Sequence, residues 1–441
     1  MDCKTIIFVI LLSVTAVIIP FQWILEIWSD ECVNPTYRIG KNYNPSSGLK
    51  AFKDKYNPID LGLDNFDDEA PRHIIEALVN ATISNDPAYN QYMDENGLPK
   101  LRQAIAELYS PLIDQQLNPD ENVLVTVGAT EALYSAITTH TVVGEEWLII
   151  EPAYHIYLPI VKQAGGVAKF ISLKSNNQDD IIKGEDWKLD KNEFEGLISR
   201  KTKGIILNNP QNPIGKVWSL EELQFISSIA RQYNLLIISD EAHEWITFKP
   251  HIRIGALPGL YERTITIGSA SKTFSLGGWR IGWAYGPKDL LDPIKLLHMN
   301  VVDSTPAPQQ VAIAFAFEEE IRNFGSPNSY FTKHREYVRN HRDMLVNAFI
   351  DVGLKPVITS GGFCTLVNWT SIKSKLPQMS KSMDFLVWLI KDIGVLGFPG
   401  TSYFSEEHQH IGQDYARFCY HKNIDTLKKA AQRLTKLKGF L

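Results

Sequence analysis

Cysteine is scarce in this chain of 441 residues: there are four, Cys3, Cys32, Cys364 and Cys419. Two lie in or beside an apolar N-terminus and two far downstream. That is not the even, close spacing of a disulfide framework, and no CxxC or HExxH spacing marks a metal site. The body is therefore expected to work with reduced thiols, with Cys364 and Cys419 buried as small apolar residues, and without a metal. Charge of a single sign is lacking too. The formal net charge is −6, and no long charge block occurs. This excludes the electrostatic footprint of a nucleic-acid-binding surface. Internal repeats and low-complexity tracts are absent, which excludes a solenoid. What remains is an ordinary globular composition, 44% apolar and 21% charged, long enough for one large domain with a smaller satellite.

Long apolar runs are confined to the N-terminus. Ile6 to Ile19 is unbroken, and after Pro20 the stretch FQWILEIW continues it with interfacial tryptophans. A bilayer span needs about 20 predominantly apolar residues, so residues 5–25 are long enough for a signal anchor in contact with a membrane, or for a cleaved signal peptide. A transit peptide would be Arg-rich and acid-poor, which this is not. The plain alternative is an apolar extension packed on the body. Two sequons, Asn80-Ala81-Thr82 and Asn368-Trp369-Thr370, make glycosylation a test of the compartment.

From about Tyr37 onwards, helical patterns alternate with short apolar strands: Val123 to Val127, Trp147 to Glu151, Ala168 to Leu173, Gly204 to Asn209, Leu235 to Asp240, Thr264 to Ile267 and Ile281 to Ala284. Runs buried on both faces predict an α/β fold, a mostly parallel sheet flanked by helices. After about Ser326 the texture changes to a long helix, a short strand ARFCY and a Lys-rich final helix, read as a smaller α+β domain. The expected division is an N-terminal segment and linker over 1–36, the first part of the small domain over 37–70, the large domain over 71–325 and the rest of the small domain over 326–441. In such sheets ligands sit beyond the carboxyl ends of the strands, and the notable polar groups fall there.

The turn between the last two strands of the large domain, SASKTFSLGGWR, carries Lys272, with Ser269 three residues before it and Arg280 eight after. An amine beside another cation has its charged form disfavoured, and a Schiff base with an aldehyde needs the free amine. The guanidinium and hydroxyl suit a phosphate. Lysine plus phosphate clamp points to pyridoxal phosphate, although a solvated lysine in a serine-rich loop is the commoner meaning of such a spacing. Asp240 ends a strand and would keep a pyridine nitrogen protonated, unless it caps a helix. Asn212, in NNPQNPIGK, would donate to the ring's phenolic oxygen or to a substrate carboxylate; plain turn chemistry is the alternative. Gly128, Ala129 and Thr130 stand at a strand-to-helix junction suited to an anion. Tyr154 either lies flat on an aromatic cofactor or packs in the core. Arg417, inside an apolar strand, needs an anionic partner, a substrate carboxylate or a structural acid.

Together with NQY at Asn90 to Tyr92, the stretches SASKTFSLGGWRIGW, NNPQNPIGK, SDEAHEW and VTVGATEAL resemble a class I/II aminotransferase of fold type I, from about Tyr37 to the C-terminus. The segments YNP, LPGLYERTITIGSASKTFS, GLKPVITSGGF and YARFCY are most similar to the kynurenine aminotransferase and glutamine transaminase K branch, also known for cysteine-conjugate beta-lyase activity. The resemblance implies Lys272 as the cofactor-bearing lysine and proton shuttle, Asp240 as the pyridinium partner and Asn212 as the phenolic-oxygen donor. It further implies a phosphate cup of Ala129, Thr130, Ser269 and Arg280, Tyr154 on the ring, and Arg417 as the carboxylate anchor. Tyr92 matches a tyrosine that reaches the neighbouring subunit's phosphate, which implies a homodimer.

The chain departs from that pattern in several places. His243 replaces a tyrosine, as in some carbon-sulfur lyases, and its charge changes near neutral pH. Asp64 stands where the branch turns a glycine backbone towards the substrate carboxylate. Ser46, Asp303 and Ser304 replace members of an aromatic box. The leading expectation is transamination between an L-amino acid, such as kynurenine, glutamine or another aromatic or sulfur-containing one, and a 2-oxo acid. A beta-eliminating lyase and a membrane-tethered cofactor-binding protein without turnover are the alternatives. The resemblance implies cytoplasm or mitochondrion; the apolar leader implies a membrane anchor or the secretory route.

Overall fold

The computed structural model describes residues 47–63, 65–175, 181–376, 379 and 381–440. The apolar stretch 5–25, Cys3, Cys32, Ser46 and Asp64 lie outside them. Residues 48–441 form one compact unit.

In chain order the strands are β1 (Ile59–Asp60), β2 (Val123–Thr126), β3 (Glu146–Glu151), β4 (Val167–Ser172), β5 (Thr202–Asn208), β6 (Leu236–Asp240), β7 (Thr264–Ser269) and β8 (Gly282–Tyr285). Then come β9 (Lys355–Pro356), β10 (Cys364–Asn368), β11 (Val395–Leu396), β12 (Phe398–Pro399) and β13 (Tyr415–Cys419). The main sheet has the order β2-β8-β7-β6-β5-β3-β4. The pairs from β4 through β7 are parallel, and only β8 runs against its neighbours. Strands β2, β3, β6, β7 and β8 are buried along their whole length, as expected where helices cover both faces, whereas the edge strand β4 is exposed at Val167 and half-buried through Phe170.

Parallel strands place their carboxyl ends together, and the reversed β8 brings its amino end to the same edge. Ser269 of β7 and Thr126 of β2 both register with Gly282 of β8. Asn208, Asp240, Ser269 and the turn after β2 therefore meet at one rim, with Arg280 entering beside them. The helices behind this rim carry their own stops. Ser219, for instance, caps Leu220–Gln232 by accepting from the Glu222 amide at 3.3 Å, while the Glu222 carboxylate accepts from the Ser219 amide at 3.1 Å.

A second sheet has the order β12-β13-β10-β9, and β1 pairs in parallel with β11. A helix over Tyr330–Ile350 and the final helix Ile424–Leu434 pack beside it. Here the structure corrects the expected thiol state. Cys364 and Cys419 are buried, but they are directly opposite on antiparallel β10 and β13, with Cα atoms 3.8 Å apart, and form a disulfide. Strand register, invisible from a separation of 55 residues, is what brings them together.

Candidate active site

Lys272 sits in the one-turn helix Ala270–Thr273 that follows β7. Its Nζ lies 5.8 Å from the ring centre of Phe66 and 6.0 Å from that of Phe363. These rings tolerate the cation on their faces, and Lys272 as a whole is half-buried. Phe363 in turn meets the buried His243 edge-on at 5.2 Å.

Asp240, at the end of β6, is only 4% exposed. It caps no helix: Oδ1 accepts from the Ala242 amide at 3.1 Å, and Oδ2 accepts from the Tyr157 hydroxyl at 2.6 Å. Burial pushes the Asp240 carboxyl above its usual range; the Tyr157 hydrogen bond opposes this most, then Ala242, while Glu241 adds to it and the Lys272 charge counters it. Burial, reinforced by the Asp240 charge, holds the Tyr157 phenol well above its ordinary value, so it stays a donor. Such a carboxylate favours a cation placed against it.

The turn after β5 ties this group to the next. Asn208 donates to the Asp240 carbonyl at 2.9 Å and accepts from the Asn212 amide at 2.7 Å. Asn212 Oδ1 accepts from Arg417 Nη1 at 3.3 Å, and Arg417 Nη2 donates to the Gly62 carbonyl at 2.8 Å. Arg417 is 4% exposed, lies 5.3 Å from both the Phe398 and Tyr403 rings, and its Nε has no hydrogen-bond partner. Among the described residues its hydrogen-bond acceptors are neutral, and no carboxylate of theirs pairs with it, which favours a substrate carboxylate over the alternative of a structural acid. A buried guanidinium with neutral partners calls for an anionic ligand.

On the other side of Asp240, the helix Gly128–Thr139 points its first amides at the rim. Gly128 has φ +76°, and a Cβ there would stand 2.4 Å from Arg280 Nη2. Only glycine lets the guanidinium lie against this turn. Arg280 is itself left-handed, φ 56°, and donates to the Gly277 carbonyl at 3.2 Å. Ser269 is buried at the end of β7, and the buried Ser271 hydroxyl has no hydrogen-bond partner among the described residues. Ala129 is half-buried and Thr130 exposed. The Arg280 guanidinium thus lies against the start of a helix, a pairing of cation and free amides suited to an anion.

The half-buried Tyr154 meets Tyr157 edge-on at 5.8 Å. Tyr92 is 85% exposed and is not brought into this cluster. Asp303 is exposed with φ 67°. Asp64 lies outside the described residues.

Sequence reasoning missed Tyr157, although it stands in the same EPAYHIY stretch as Tyr154, and it missed the Phe66 and Phe363 wall. It also missed what anchors the loop bearing Asp240 and His243. Glu241 accepts from His251 Nε2 at 2.8 Å, Arg253 bonds Glu244, and Tyr109 donates to Glu244 at 2.5 Å. The SDEAHEW and HIR stretches held that signal only as opposite charges ten residues apart.

The family model for aminotransferase class I and II matches residues 56–434. Kynurenine--oxoglutarate transaminase 1 of Mus musculus is 35% identical over 410 residues, 91% of this chain and 96% of the relative. Kynurenine--oxoglutarate transaminase of Dictyostelium discoideum is 36% identical over 407 residues, 87% and 92% of the two chains. Among solved structures, Bna3p from Saccharomyces cerevisiae superposes with a TM-score of 0.84 at 28% identity, covering 97% of this chain and 100% of that one. YbdL from Escherichia coli, identified with a methionine aminotransferase function, gives 0.81 at 28% identity, covering 91% and 98%.

Proposed function

The chain belongs to the class I and II aminotransferases, and from that premise we propose which of its residues carry out amino-group transfer between an L-amino acid and a 2-oxo acid. Family membership implies pyridoxal 5'-phosphate, and the residues present fit it. A buried carboxylate favours a cation, the Ser271 hydroxyl, without a hydrogen-bond partner among the described residues, and the Gly128 cradle under Arg280 suit a phosphate, and the Lys272 amine is carried by the helix that follows β7, next to the strand that ends in Asp240. Bound there, the cofactor supplies an aldehyde for the amine and a ring that withdraws the electron pair left by the departing α-proton.

The protein's part is placement and proton transfer. Arg280, Ser269, Thr130 and the Ala129 amide hold the phosphate. Asp240, kept in place by Tyr157, would pair with the ring nitrogen; Tyr154 would pack on the ring, and Asn212 and His243 would hydrogen-bond its phenolic oxygen. Arg417 would hold the substrate carboxylate, with Asn212 beside it. With cofactor and substrate bound, the Lys272 amine would take the α-proton at Nζ and deliver it to the former aldehyde carbon, two bonds from the α-carbon; Phe66 and Phe363 would shield that transfer from competing water. Tyr92, exposed on its own chain, serves the neighbouring subunit's phosphate in a homodimer. The kynurenine transaminases among the relatives make kynurenine the first amino donor to try. We also propose a large domain over 71–325 and a small domain over 37–70 and 326–441, which the β1 to β11 pairing supports.

The observation that carries this reading is that the buried Asp240, at the end of β6, and the helix bearing Lys272, directly after the neighbouring β7, stand at one sheet rim. Titrating holoenzyme with L-kynurenine, L-glutamine and sulfur-containing amino acids should convert the yellow cofactor to its colourless aminated form. Adding 2-oxoglutarate should restore it. No spectral change with any amino acid would leave only a cofactor-binding protein.

Asp240 also predicts a stability signature. Its folded pKa is raised by burial, so the folded chain holds the proton more tightly than the unfolded one. Stability of cofactor-free protein should fall as pH rises from the ordinary carboxylate range through that raised value. A cationic ring nitrogen removes the cause, so the fall should vanish in holoenzyme and in cofactor-free Asp240→Asn. Melting temperatures across pH 4 to 8, about the span of a shifted carboxylate, read this directly; parallel curves for wild type and variant would refute it.

A further inference from the structure

Two unrelated observations bear on where this chain folds. Cys364 and Cys419 are the only cysteines among the described residues, both are buried, and they are bonded to each other. A reducing compartment keeps such pairs as thiols. The second observation is the setting of the two sequons. Asn80-Ala81-Thr82 ends the helix Arg72–Thr82, whose inner face buries Ile74 and Ala81, while Asn80 and Thr82 are exposed. At four-residue spacing Arg72, Glu76 and Asn80 form one stripe, and the Arg72–Glu76 pair at 2.9 Å has side chains 90% and 61% exposed. That is a solvated face with room for a bulky polar group. The other sequon is closed. Asn368 is 6% exposed, its Oδ1 accepts from the Thr370 amide and hydroxyl at 2.9 and 2.6 Å, and Trp369 is fully buried.

We propose that the body folds in an oxidising compartment, where the Cys364–Cys419 bond closes and Asn80 receives an N-linked oligosaccharide. This rests on reading residues 5–25 as a membrane-targeting segment, and is independent of the amino-transfer chemistry. The bond forms by exchange with a protein disulfide: two thiols give up two protons and two electrons, and the donor disulfide leaves as a dithiol. At Asn80 the amide nitrogen forms a bond to the anomeric carbon of a lipid-diphosphate-linked oligosaccharide. The carbon–oxygen bond to the diphosphate breaks, and the amide proton is lost to base.

The full chain, made in eukaryotic cells with its N-terminus intact, tests both halves. Peptide N-glycosidase should lower the apparent mass by one glycan. Asn80→Gln and Thr82→Ala should each abolish that step, and Asn368→Gln should leave it. A digest under non-reducing conditions should yield the peptides of Cys364 and Cys419 as a linked pair. A wild-type chain that the glycosidase does not move, a step that survives Asn80→Gln, or alkylation of both cysteines without prior reduction would each overturn the proposal. None of these readouts measures turnover, so failure here leaves the transaminase reading standing.

Discussion

Replacing Lys272 by alanine is expected to lower kcat by about 10⁴-fold or more, the scale of a positioned general acid-base group, on the order of 5 kcal/mol of barrier. Perturbed charge alone would have chosen a different lysine. Lys216 is fully buried and its amine is held below the ordinary range, by burial first, against the pull of Glu222. Its Nζ, however, is bonded to Glu222 at 2.8 Å beside the Trp218 ring, so it closes a helix cap rather than facing a site. Lys272 instead sits at the strand rim, felt by Asp240 and walled by two phenylalanines. Borohydride treatment of the yellow protein should therefore fix the cofactor to the peptide containing Lys272. Small primary amines should partly restore turnover to Lys272→Ala, since the pocket survives and only a proton carrier is missing. A label on Lys216, or a variant with ordinary activity, would end the assignment.

Why the lysine could be found without a structure, and Tyr157 could not, follows from what local sequence encodes. The inner strands of the main sheet were visible because burial on both faces makes them apolar runs, and their ends carried Asp240, Asn208 and Ser269 with them, while the edge strand β4 was visible from its apolar residues although it is only partly buried. Boundaries moved by a residue or two, as strand ends do. Groups whose meaning depends on register or on distant packing stayed hidden. Cys364 and Cys419 read as two lone buried thiols until β10 and β13 were aligned. Arg417 read equally well as half of an ion pair from sequence, and only the fold shows that its acceptors among the described residues, Asn212 and Gly62, are neutral. Phe66 and Phe363 are ordinary core phenylalanines by pattern; only the fold turns them towards Lys272.

Arg417→Met is expected to reduce kcat/KM by about 30- to 5,000-fold, the 2–5 kcal/mol that follows loss of one partner from a buried charged contact. The loss should fall on KM and should be alike for amino acid and 2-oxo acid, because both present the same carboxylate to the same guanidinium. Arg417→Lys should recover little, since one ammonium cannot hold Asn212, Gly62 and a carboxylate in the planar geometry of the fork. The alternative is that Arg417 only braces β13 against the chain at Gly62. A bracing role would loosen the cofactor and treat all substrates equally. The decisive measurement compares an amino acid with its decarboxylated amine. Wild type should strongly prefer the amino acid, and Arg417→Met should lose that preference while keeping its cofactor absorbance. A variant that still prefers the carboxylate, or that sheds its cofactor, would move substrate recognition elsewhere in the rim.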